Sequence, residues 1–118
     1  MSVTSNFLAL KPGSAVSQYI VEDMLGQGGF GIVYKGHHSH LNTKVAIKEF
    51  LPAQIAGREG ETVHPHSQMA EQAYQESLDK FIQEGQVLET LTHKNVVKCR
   101  DLVRANGTAY LVMDFEDG

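Results

Sequence analysis

A helical period appears in one stretch of this chain, and that limits the folds open to it. Tyr74, Leu78, Phe81, Ile82, Gly85, Leu88 and Leu91 recur at spacings of three and four, which gives a helix one apolar face. The spacing predicts a helix from about Ala70 to Thr92. The remaining apolar patterns read as strands. Three precede the helix, at Tyr19 to Leu25, Ile32 to Lys35 and Val45 to Ile47. Two follow it, at Val96 to Val103 and Ala109 to Met113, with Asn106-Gly107 at the tip of the turn between them. The order of three strands, one helix and two strands makes the predicted class α+β.

At 118 residues the chain allows one domain, and 42% apolar against 20% charged residues suits a modest core. Residues 1–17 mix turn-forming and polar types without a period and read as a leader lying against a domain of residues 18–118. The stretch from Leu51 to Gln68 holds Pro52, Gly57, Gly60 and Pro65 and few apolar residues. It is expected to be a long surface loop, partly disordered. Ten basic residues against fourteen acidic ones leave a charge of −4, with no basic run to track a phosphate backbone or an anionic membrane. Nucleic-acid and membrane partners are therefore not expected. Cys99 stands alone, which rules out an intrachain disulfide or a zinc site of several thiolates. The N-terminus has no basic segment or apolar core of a signal peptide, and no apolar run approaches the roughly 18 residues of a membrane span. The expectation is a soluble, cytoplasmic polypeptide.

Three features carry chemistry. Gly26-Gln27-Gly28-Gly29-Phe30-Gly31-Ile32-Val33 fits G-x-G-x-x-G-x-V. Glycines also serve any tight turn, so the triplet alone leaves a plain hairpin tip open. In a dinucleotide-binding fold it would open a helix, whereas here it opens a strand. Between two strands, a glycine loop can lay its backbone N–H groups over a nucleotide's phosphates, because no side chains hold them away. Lys48 ends Val45-Ala46-Ile47. It is either an edge lysine whose ammonium reaches water or a point charge held beneath the glycine loop. Glu84 falls at the edge of the helix's apolar stripe, as a solvated boundary residue or as the ion-pair partner of Lys48. His37, His38 and His40 lie within four positions but have no acidic or thiol ligand nearby in sequence, so a polar connection explains them and no metal site is assigned. His64 and His66, in the expected loop, rate no higher as ligands; His93 is read as a structural residue at the helix-to-strand turn, and Cys99 as a small buried residue.

In this order, the loop, the lysine strand and the helix glutamate resemble the N-terminal lobe of a eukaryotic-like (Hanks-type) serine/threonine protein kinase. The likeness runs from about Tyr19 to Gly118. It includes Leu91-Thr-His93-Lys-Asn95-Val96-Val97, similar to L-x-H-x-N-I-V, and the hinge-like Tyr110-Leu-Val-Met113-Asp114-Phe-Glu116. Lys48-Glu-Phe-Leu-Pro52 with its following loop is most similar to bacterial members. The resemblance implies a five-stranded antiparallel sheet with one main helix and a long loop before it. It implies that Gly26 to Gly31 cover ATP, that Val33 and Ala46 enclose the adenine and that Met113 is the gatekeeper. Backbone groups at Asp114 and Glu116 would pair with the adenine edge, and Lys48 and Glu84 would form the catalytic ion pair. The H-R-D-x-x-x-x-N, D-F-G and A-P-E motifs do not occur in these 118 residues. Phosphoryl transfer to a protein substrate, with magnesium, is thus expected of a longer enzyme and not of this chain alone. A lobe without its C-terminal half is expected to self-associate. A stand-alone lobe that binds or regulates a partner kinase is the alternative.

Overall fold

The computed structural model describes residues 8–90 and 99–115, apart from the side chains of residues 86–90. Among the described residues, eight strands and one helix follow one another as β1 (Ala15–Val16), β2 (Tyr19–Gly28), β3 (Gly31–His38), β4 (Lys44–Phe50), β5 (Ala56–Glu59), β6 (Thr62–Pro65), α1 (Gln68–Thr90), β7 (Cys99–Ala105) and β8 (Thr108–Asp114). Six of the strands form one antiparallel sheet in the order β1-β2-β3-β4-β8-β7, and β5 and β6 form a separate hairpin.

Strand β8 is buried on both faces, whereas β3 and β4 bury chiefly one. In β4, Val45, Ile47 and Glu49 point one way, and Ala46, Lys48 and Phe50 the other. The first face is continued by Ile32 and Tyr34 of β3 and by Tyr110 and Val112 of β8, their register partners. The leader covers it, with Leu10 buried and its N–H donating to the Tyr34 hydroxyl at 2.9 Å. Helix α1 packs on the second face. The Phe50 ring lies 5.7 Å from that of Tyr74 and 5.3 Å from that of Phe81. Each such fully buried side chain contributes about 1.5–3 kcal/mol over its exposed state. Ser67 caps the helix, its Oγ accepting from the Ala70 N–H at 3.2 Å.

The antiparallel sheet and single helix are as expected, but β2 runs on to Gly28 and β3 from Gly31 to His38, through part of what reads as a polar connection, and three further details differ. A sixth strand, β1, extends the sheet at the leader, where two residues are too few to show a period. The helix begins two residues before the predicted start, and positions 91 and 92 lie outside the described residues. The segment after Leu51 is not an open loop. It folds as the β5–β6 hairpin around Gly60, at φ +62°, and buries Ala56 and Val63. One apolar anchor per four-residue strand gives no periodic signal, so the Pro and Gly content dominated the sequence pattern.

Candidate functional site

The β2–β3 hairpin carries the glycine run. Gly28 pairs with Gly31, which leaves Gly29 and Phe30 at the tip, and the Phe30 side chain is 77% exposed. The glycines differ in what they do for the fold. A Cβ on Gly31 would lie 2.1 Å from the Glu49 carbonyl oxygen, so β3 and β4 approach there more closely than any side chain allows. Gly26, Gly28 and Gly29 have nothing within 4 Å of a built Cβ, and none adopts a left-handed φ. The fold gives these three no reason to be glycine.

The register places the other nucleotide-site candidates on one face. Val33 lies opposite Lys48, Ala46 opposite Met113, and Lys48 opposite Leu111. This is the face on which α1 packs, and at Gly85 the helix comes so near that a Cβ would meet Leu111 Cδ2 at 2.3 Å. That contact fixes the height of the neighbouring Glu84 above the sheet. Tyr74 anchors the other half of the helix by donating from its hydroxyl to the Gly107 carbonyl at 2.7 Å. Asn106 and Gly107, at φ 56° and 75°, form the tight β7–β8 turn that the Asn-Gly pair predicts.

Between the glycine tip and α1 lies an open cavity of about 400 Å³. Lys48 lines it from the sheet, Phe30 from the loop, and Ser77, Lys80, Phe81 and Glu84 from the helix. Lys48 and Glu84 are both exposed and face the same space, and among the described residues no ion pair joins them. Two ammonium groups against one carboxylate leave the wall net positive, which suits a polyphosphate. Sequence reasoning passed over Ser77 and Lys80. They precede Glu84 by seven and four positions, the helical spacing that puts all three on one face.

At the hinge end, Lys35 Nζ sits 5.7 Å from the centre of the Phe115 ring, and Arg100 pairs with Asp114 at 3.4 Å. Glu116 and the stretch 91–97, His93 included, lie outside the described residues. Among the described residues the histidines form no shared ligand cluster, although the His38 and His40 rings lie 5.9 Å apart. His37 Nδ1 meets Glu22 Oε2 at 2.6 Å, while His38 Nδ1 accepts the backbone N–H groups of His40 and Leu41 and so shapes its own turn. Among the described residues no three His, Cys, Asp or Glu side chains come together as metal ligands. No helix there is long and apolar enough to cross a membrane.

Comparisons with known proteins agree with this geometry. The family described as "Protein kinase domain" matches residues 19–118. The serine/threonine-protein kinase PkaA of Streptomyces coelicolor is 37% identical over 103 residues, which is 86% of this chain and 18% of PkaA. The serine/threonine-protein kinase Pkn1 of Myxococcus xanthus is 31% identical over 94 residues, covering 80% of this chain and 11% of Pkn1. Among solved structures, the apo form of PpkA-294 superposes with a TM-score of 0.89 at 29% identity, over 94% of this chain and 40% of that one. The PknI kinase domain of Mycobacterium tuberculosis gives 0.65 at 26%, over 93% and 37%. The chain thus spans less than a fifth of these curated relatives and about two fifths of the solved kinases. With its glycine hairpin, lysine strand and single sheet-packed helix, it belongs to the protein kinase family, where it corresponds to the N-terminal lobe of the Hanks-type serine/threonine kinases.

Proposed function

We propose that this chain is the ATP-binding lobe of a serine/threonine kinase and that it holds the nucleotide under the β2–β3 hairpin. The observation that carries this reading is the set of three glycines with no role in the fold. Gly26, Gly28 and Gly29 leave a bare backbone above a cavity walled by Lys48 and Lys80, as phosphates held by backbone N–H groups require. Lys48 neutralises phosphate charge, and Glu84 holds the lysine in place once the helix closes on it. Val33, Ala46 and Met113, on the same sheet face, enclose the adenine, and backbone groups at Asp114 and Glu116 pair with its edge. Transfer of the terminal phosphoryl group to a protein hydroxyl also needs a residue to orient that hydroxyl and carboxylate or amide ligands for magnesium. These 118 residues contain none of the motifs that provide them, so the chain binds ATP weakly and does not turn it over by itself.

Titration with a fluorescent ATP analogue tests this. K48A is expected to lower affinity about tenfold or more by removing a charge-assisted phosphate contact. Unchanged affinity in a folded K48A variant would refute the assignment.

A further inference from the structure

Behind Lys48, on the sheet face away from the cleft, one charge is sealed inside the fold. Glu49 is 0% exposed and sits among Ile32, Tyr34 and Tyr110. A carboxylate in such a place persists only with a partner, and here that partner is Arg58, whose side chain is 4% exposed. Arg58 Nη2 donates to Glu49 Oε1 at 2.5 Å, and the Tyr34 hydroxyl donates to the same oxygen at 2.6 Å. The guanidinium has two further acceptors, the Leu8 carbonyl from Nε at 2.6 Å and the Glu61 carbonyl from Nη1 at 2.9 Å. One side chain therefore joins the leader, the inserted hairpin and the strand that bears Lys48. The hairpin is also held at its other strand, where the Val63 N–H donates to the Asn106 carbonyl at 2.7 Å. Only His66 and Ser67 separate it from helix α1, which bears Glu84.

We propose that Glu49 and Arg58 are a positioning pair for the nucleotide site, an inference that rests on the ATP-binding reading above. They set the distance between the Lys48 strand and the start of α1, with the leader strapped across the joint. Stability alone does not account for the pair. Apolar side chains of the same volume often hold a fold as well as a buried ion pair does. What they lack is a planar fork that directs N–H groups at three separate segments.

The test reads Lys48 in the protein as it exists, at its full length. The probe is an acyl phosphate of ATP, whose acyl carbon is attacked by a nearby lysine amine. An amide forms, the acyl–phosphate bond breaks, ATP leaves and the amine proton goes to solvent. The double variant E49Q/R58M removes both charges and keeps an acceptor for Tyr34. It is expected to melt within a few degrees of the wild type and to acylate Lys48 about tenfold or more slowly, since a displacement near 1 Å is enough for that. R58K keeps the charge without the fork and is expected to fall between the two. A double variant that melts and labels like the wild type overturns the proposal. If the double variant does not fold, R58K labelled at the wild-type rate overturns it. Failure of the ATP-binding reading looks different: the wild type itself then shows no ATP-protected acylation at Lys48, and this inference falls with it.

Discussion

Replacing single glycines in one hairpin separates the needs of the fold from those of the site. At Gly31 a methyl group would lie 2.1 Å from the backbone oxygen of Glu49, and no side chain can turn aside to make room. β3 and β4 must part by about 1 Å, an overpacking that costs about 1–3 kcal/mol. The Leu51 N–H to Phe30 carbonyl bond, 2.9 Å long, crosses the same gap. Loosening it adds about 0.5–1.5 kcal/mol. Alanine returns about 0.4–1 kcal/mol by stiffening the unfolded chain. G31A is thus expected to lose about 2–3 kcal/mol, a fall of roughly 10 °C or more in Tm at about 4–8 °C per kcal/mol for a domain near this size. G28A meets nothing within 4 Å and needs no unusual φ, so its Tm should hold or rise slightly. If the glycine loop cradles ATP as proposed, its methyl group intrudes where a phosphate would approach the backbone, and ATP-analogue affinity should fall about tenfold or more. Thermal melts and nucleotide titrations on the two variants check both arms. A G31A variant as stable as the wild type refutes the close-approach argument, and a G28A variant with full affinity refutes the phosphate-cradle argument.

Y74F deletes the hydrogen bond to the Gly107 carbonyl that ties α1 to the β7–β8 turn and should cost about 0.5–1.5 kcal/mol, read by urea denaturation. An unchanged midpoint would mean that the turn does not anchor the helix. The tyrosines set an alkaline limit. Burial, helped by the Glu49 carboxylate, pushes the hydroxyls of Tyr34 and Tyr110 well above their ordinary value of 10.0, and burial also raises Tyr19 and Tyr74. Above that pH the unfolded chain releases protons that the folded chain keeps. Stability is therefore complete below about 10 and falls as pH rises past it. Phenolate absorbance should appear together with loss of circular dichroism, and tyrosines that ionise near 10 with the fold intact would contradict this. Lys80 adds positive charge to the cavity wall. K80A should weaken ATP-analogue binding more at low salt than at high, as screening of an exposed charge requires, and a loss independent of salt would argue against it.

The elements legible in the sequence are those whose residues repeat. The helix announced itself through Tyr74, Leu78 and Phe81, all buried, and the last turn through Asn106-Gly107, because φ above zero at two successive positions admits few residue types. Lys48 was legible for a similar reason, since a charge closing a β-branched strand stands out against its neighbours. Glu49, one residue on, was not, although it is among the most buried side chains of the chain. Nothing local distinguishes a glutamate that faces water from one that faces an arginine nine positions away in a hairpin built on single apolar anchors. The strand's two-residue period sends the two charges to opposite faces, Lys48 to the cleft and Glu49 to the core. The Lys48 ammonium can therefore be only as well placed as the buried face allows. The segment that sequence reasoning took for an open loop, through Arg58, is what holds that face.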